Sequence, residues 1–190
     1  NHGTNRRGRT EVIGPKYRMN EFEAAVLLGQ LSGVQARFRR RNENAAHLTA
    51  RLKGCPGIAP QKLYPGTASG SFYLYAMSFR KEEFGGVDRA RFLQAVDAEG
   101  VGLSPYIERG LHREPWVDNI VQSKVYQAMY GERRLREYRD QMVCPNCDRV
   151  CQEMVMIWAS GPLLAEKEDM DDIADAILKV YENRDRLRAT

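Results

Sequence analysis

Two cations, Lys16 and Arg18, stand just ahead of a helix-start signal made by Asn20 and, three residues on, Glu23. A loop that presents two positive side chains beside the positive end of a helix can gather phosphate or carboxylate. The plainer alternative is a pair of solvated surface charges. A second string with chemical potential is Cys144-Pro145-Asn146-Cys147-Asp148-Arg149-Val150-Cys151. A CxxC pair serves either as half of a metal knuckle or as a redox couple. Zinc usually takes a second such pair or two spaced histidines. Only Cys55 remains, and His2, His47 and His112 are scattered. The expectation is therefore no metal, with reduced and packed thiols. Loops of the GxGxxG, Walker A, GxSxG or HExxH type do not occur.

The elements that must position these residues follow from the hydropathy pattern. The chain has 190 residues, of which 43% are hydrophobic and 28% charged, which is enough apolar content for a core. No apolar run reaches the length of a bilayer span, so no membrane is expected. The net charge of +4 comes mainly from clustered arginines at Arg6 to Arg9, Arg37 to Arg41 and Arg133-Arg134. Interspersed Glu and Asp make salt-bridged helix faces the simpler reading than a nucleic-acid surface. Reduced thiols and the lack of a secretion signal at the start favour a cytoplasmic setting. Because the first residue is Asn1 rather than Met, the chain reads as part of a longer product.

Residues 1–19 read as a loop without a partner. Apolar residues from Leu27 to Leu52 recur at helical spacing and predict one long helix over 20–54, ending at Gly54. Strands are predicted over Phe72 to Phe79, Val101 to Ser104 and Met154 to Trp158. Between them lie a helix capped by Asp88, helical stretches at about 118–130 and 132–141, and a helix starting at Pro145. Glu166 to Leu187 predicts a final amphipathic helix. The fold class is α/β: a small three-stranded sheet with covering helices, entered by a long helix.

The string Gly14-Pro15-Lys16-Tyr17-Arg18-Met19-Asn20-Glu21-Phe22-Glu23-Ala24-Ala25 resembles the N-Y-R-M-x-E-x-Q-A-A segment of the DegT/StrS family of pyridoxal-phosphate (PLP) sugar aminotransferases. Further strings agree with that family in order: His2-Gly3, Gln30-Leu31, Phe72-Tyr73-Leu74-Tyr75 and Glu99-Gly100-Val101-Gly102. Tyr106 through Leu111-His112-Arg113-Glu114-Pro115, Cys144 to Cys151 and Glu168 to Ile177 continue the series. Arg113-Glu114-Pro115-Trp116 and Ser123-Lys124-Val125-Tyr126 are similar to the subgroup that aminates keto-inositols.

The resemblance implies the small C-terminal domain of a fold-type I PLP-dependent transferase. Residues 1–19 would be a remnant of the large PLP-binding domain, 20–54 the interdomain helix and 55–190 the small α/β domain. It also implies a homodimer that transfers an amino group from glutamate or glutamine to a keto-cyclitol or nucleotide keto-sugar. Lys16 stands where the family has an Asn that reaches the PLP phosphate of the neighbouring subunit. Arg18 matches the Arg near the carboxylate of the amino donor, and Tyr106 and His112 fall on the rim facing the acceptor, with a structural surface histidine as the alternative for His112. The lysine that carries PLP lies upstream of the His-Gly pair in the family, and no lysine here aligns with it. The fragment alone is therefore expected to be inactive, with no catalytic residue of its own. The alternative is a non-catalytic regulatory or binding relic of the same family.

Overall fold

The computed structural model describes residues 3–158 and 161–188. In chain order it has helices α1 (Glu21–Leu31) and α2 (Val34–Arg51), strands β1 (Ile58–Pro60) and β2 (Leu74–Phe79), and helix α3 (Arg89–Ala98). Four helices follow: α4 (Trp116–Gln122), α5 (Lys124–Tyr130), α6 (Glu132–Gln141) and α7 (Pro145–Glu153). Strand β3 (Met154–Trp158) and helices α8 (Lys167–Glu182) and α9 (Arg184–Leu187) complete the chain. The chain forms two compact units, Asn1–Ala25 with Ile107–Gln152, and Val26–Tyr106 with Glu153–Thr190. These do not follow the boundaries expected after residues 19 and 54.

The second unit holds the sheet, which is antiparallel throughout in the order β1-β2-β3. Along β2, side chains alternate as a strand demands: Tyr75, Met77 and Phe79 are buried and the residues between them are half-buried. Helices α2, α3 and α8 pack on this sheet through Leu48, Leu52, Phe92, Val96, Met170 and Ile177, all sealed from solvent. Phe79 stacks on Phe92 at 4.6 Å, and Phe84 meets Phe92 edge-on at 5.1 Å. Helix α8 starts at a reciprocal capping box between Glu166 and Asp169. Its polar flank ties it to α2: His47 Nε2 lies 2.7 Å from Asp171, and Arg51 bridges Asp171 and Asp175. Buried Asn44 donates to the carbonyls of Leu163 and Ala165, at 3.1 and 2.9 Å.

Two expectations about this unit are corrected. The single helix over 20–54 is two helices, and at the break Arg37 reaches back across Gly33 and donates to the Gln30 carbonyl at 2.6 Å. A Cβ at position 33 would sit 2.3 Å from that guanidinium, a contact that a shift of the flexible Arg37 side chain would relieve. The sheet has the expected three strands, but Val101 to Ser104 is not one of them. Ser104 makes an isolated bridge to Met156, and the third strand is β1, which pairs with β2.

In the first unit, α4, α5 and α6 pack against one another, with Val117 and Leu135 buried. Residues 3–12, expected to lack a partner, form a closed loop. Thr4 bridges Thr10, and Asn5 Oδ1 accepts from the N–H groups of Arg7 and Arg9, at 2.8 and 3.1 Å. The loop is held by Glu114, which is buried and accepts from the Thr10 N–H at 2.8 Å and from Arg9 Nε at 3.0 Å. Trp116 N–H and Asn119 Nδ2 donate to the carbonyls of Thr10 and Glu11. Gly3 (φ +76°) passes so close to Val12 that a Cβ would lie 1.9 Å from its carbonyl oxygen.

Candidate functional site

Lys16 and Arg18 occupy the extended stretch before α1, and both side chains are exposed. Neither makes a hydrogen bond or ion pair among the described residues, whereas Arg9, Arg40, Arg51, Arg113 and Arg139 are all ion-paired. The arginine clusters are thus partly used up in structure, while these two cations are not. The helix end beside them is not available in the way the spacing suggested. Asn20 Oδ1 accepts from the Glu23 N–H at 3.0 Å, and Glu23 accepts from the Asn20 N–H at 3.1 Å. With Glu21 and Glu23 in its first turn, α1 carries its own anions at its positive end. Any anion held here is held by the two side chains.

Helix α1 buries none of its residues. Phe22, Leu27, Leu28 and Leu31 are 86%, 51%, 68% and 61% exposed, and Tyr17 is 91% exposed. A contiguous apolar helix surface of this kind marks a place where something else packs.

Tyr106 belongs to the sheet-bearing unit, where its half-open ring meets Trp158 edge-on at 6.0 Å, and Tyr73 meets the same indole at 5.6 Å. His112 belongs to the other unit, with Lys16 and Arg18. Its side chain is only 7% exposed, and Nε2 lies 3.1 Å from Asp148 Oδ1. That approach suits an ion pair once the ring is protonated, but it is not a hydrogen bond. Asp148 is instead gripped by Arg113, whose Nε and Nη2 reach its two oxygens at 2.5 and 2.6 Å. The Arg113 guanidinium holds the Asp148 carboxyl below the usual carboxylate range. A groove of 460 Å³ runs beside this cluster, lined by His112, Glu114, Asp118, Arg139 and Met142 among others. Burial pushes the Glu114 carboxyl up, but the Thr10 N–H and the Arg9 guanidinium outweigh it and leave Glu114 below its ordinary value.

The sequence did not point to Asp148 or Glu114 as partners of His112 and Arg9. The pairs are 36 and 105 positions apart, and only the His-Arg-Glu run at 112–114 hinted at a polar cluster. Cys55 and Cys151 are buried, Cys147 is half-buried and Cys144 is exposed, so packing holds for some of the thiols and not for Cys144. Among the described residues no group of three His, Cys, Asp or Glu converges as a metal site, and no helix is long and apolar enough to cross a membrane. His2 of the His2-Gly3 pair lies outside the described residues.

A model of the DegT/DnrJ/EryC1/StrS aminotransferase family matches residues 1–177. The L-glutamine:2-deoxy-scyllo-inosose aminotransferase of Streptoalloteichus tenebrarius is 31% identical over 182 residues, which cover 94% of this chain and 41% of that protein. Among solved structures, 3-amino-5-hydroxybenzoic acid (AHBA) synthase superposes with a TM-score of 0.63 at 21% identity, over 96% of this chain and 45% of that one. DesI, solved in the presence of its TDP-sugar product, gives a TM-score of 0.65 at 18% identity, over 90% of this chain and 38% of its own. The chain therefore spans about two fifths of the length of the curated relatives it matches. With its ordered motifs, its three-stranded sheet and covering helices, and a family match over 177 of 190 residues, the chain belongs to the DegT/DnrJ/EryC1/StrS aminotransferase family.

Proposed function

We propose that this chain is the C-terminal part of a PLP-dependent aminotransferase. The complete protein would move an amino group from glutamine or glutamate to a keto-cyclitol, with a nucleotide keto-sugar as the other candidate acceptor. The observation that carries the reading is a pair of exposed cations, Lys16 and Arg18, without partners among the described residues, on the motif that heads α1. The similarity to a glutamine:inosose aminotransferase favours the cyclitol acceptor.

The residues present fit the anionic handles of cofactor and donor. PLP, when bound, supplies an electron sink for the carbon that loses its proton. Lys16 Nζ would neutralise the cofactor's phosphate as a point charge, and the planar fork of Arg18 would hold the donor's carboxylate. Tyr106 would contact the acceptor through its open ring face. His112, also assigned to that rim, would act by holding its own segment, since its ring is buried. Both cations would serve the neighbouring subunit of a homodimer, and the apolar surface of α1 supports a cover of that kind. The lysine that carries PLP would lie in the part of the relatives that this chain does not span.

The test uses the complete protein. Lys16→Ala should weaken PLP retention by about ten- to a hundredfold, the loss of one charge-assisted contact of about 1.5–3 kcal/mol. Arg18→Ala should chiefly raise KM for the amino donor. Mixing either variant with a subunit lacking the PLP-carrying lysine should restore one working site per mixed dimer. The 190-residue chain alone should transfer no amino group. Unchanged PLP affinity and donor KM in both variants would reduce the motif to a structural one, and turnover by the isolated chain would overturn the assignment of the lysine.

A further inference from the structure

Two cysteines that the aminotransferase reading does not use sit in an arrangement built for thiol chemistry. Asp148 N–H donates to the Cys144 carbonyl at 3.0 Å, so Cys144 immediately precedes the first turn of α7, with Pro145 as the first helical residue. Cys144 is exposed, and Cys147, one turn further on, is half-buried. Cysteines one helical turn apart fall within the Cα separation of about 4.4–6.8 Å that a disulfide spans.

The second observation is His112. At 7% exposure its side chain is more than nine-tenths buried, and its Nε2 makes no hydrogen bond. The other edge of the ring faces Cys147 across Gly110. A Cβ on Gly110 would lie 2.5 Å from Cys147 Sγ and 2.6 Å from His112 Nδ1, so thiol and imidazole share one small space that only glycine leaves open. On the far edge, Asp148 stands 3.1 Å from Nε2, held in place by the fork of Arg113. The thiol and the imidazole are thus neighbours of the same glycine, and the carboxylate stands beside the Nε2 edge of the ring.

We propose that Cys144 and Cys147 are a reactive dithiol, with His112 as the base for Cys147, which closes to a disulfide on meeting a small disulfide such as oxidised glutathione. The Cys144 thiolate attacks one sulfur of the small disulfide, forms a mixed disulfide and expels one small thiolate. His112 takes the proton of Cys147, whose sulfur then attacks Cys144 Sγ and breaks its bond to the remaining small thiol. Two protein thiols become one protein disulfide, the small disulfide becomes two thiols, and the two electrons pass to it. The proposal does not depend on the amino-transfer reading.

The test is to incubate the purified chain with oxidised glutathione, quench with an alkylating agent and map the cysteines by mass spectrometry. The expected product is a Cys144–Cys147 disulfide, with Cys55 and Cys151 still alkylated as thiols after unfolding. Cys147→Ser should stop at a stable glutathione adduct on Cys144, and Cys144→Ser should form no intramolecular disulfide. His112→Asn should slow closure of the mixed disulfide by about a hundredfold, the low end of what a positioned base contributes. Asp148→Asn provides a second reading should His112→Asn fail to fold. No disulfide in the unaltered chain, or one that joins Cys151 instead, would overturn the proposal. Closure at an unchanged rate in folded His112→Asn or Asp148→Asn would remove His112 as the base.

Discussion

Replacing Glu114 with glutamine removes one charge from the centre of the first unit while keeping the shape of the side chain. The carboxylate is 8% exposed and accepts from the Thr10 N–H at 2.8 Å and Arg9 Nε at 3.0 Å. Both donors reach the same oxygen, Oε2, so a glutamine oxygen placed there can still accept from both, and the loss is the charge that strengthens the contact with Arg9. A hydrogen bond between charged groups contributes about 1.5–3 kcal/mol, and the lower part of that range applies because the Arg9 side chain is 30% exposed. The opening of loop 3–12 should become about tenfold more frequent. Amide hydrogen exchange reads this directly at Trp116, whose N–H donates to the Thr10 carbonyl at 3.0 Å. The sign with pH follows from the depressed carboxyl. The stabilisation is complete above the unfolded carboxylate value of about 4.3 and is lost as pH falls through the lower folded value. The difference between the two proteins should therefore shrink in acid. Equal exchange at neutral pH, or a difference that survives full protonation, would refute this account of the clamp.

Three further outcomes are expected. Phe92→Ala, at a fully buried ring stacked on Phe79 and met edge-on by Phe84, should cost about 3–5 kcal/mol in denaturant unfolding. Tyr75 has its phenol pushed up to about 12 by burial, partly offset by its 2.8 Å hydrogen bond with Thr49; its ultraviolet titration should lag the exposed tyrosines, and Tyr75→Phe should cost about 0.5–1.5 kcal/mol. Gly3→Ala, which would press a methyl group against the Val12 carbonyl, should speed exchange of the Glu11 amide, which donates to the Gly3 carbonyl at 2.9 Å.

Local chemistry was readable wherever one short stretch carried its own signal. Asn20 with Glu23 and Asp88 with Arg91 cap helices as their spacing implied, at 3.0 and 2.8 Å. The apolar stripe of α8 and the run Met154 to Trp158 became the helix and strand they resembled. What stayed hidden depended on partners distant in the chain or on the path of one side chain. The three residues of β1 are too short to show a period, and become a strand only because Met77 to Phe79 lie alongside. The break at Gly33, across which Arg37 donates to the Gln30 carbonyl, leaves no trace in the apolar spacing, which runs on unbroken. Lys16 and Arg18 were visible as types, but their lack of partners was not. The His112 cluster needed residues 110–114 and 147–148 brought together, which no local pattern encodes.

Strands β2 and β3 are hydrogen-bonded neighbours, yet β2 ends at Phe79 and β3 begins at Met154, and the whole of Ile107–Gln152 is threaded between them. Loop-closure entropy makes so distant a pairing slow to form from an open chain. If α4 to α6 condense first, they shorten the tether that β3 must drag back to β2. The order of events then places residues 107–152 on the kinetic path to the sheet. Substitutions there, Leu135→Ala for instance, would delay acquisition of β-structure during refolding even where they leave the finished sheet untouched.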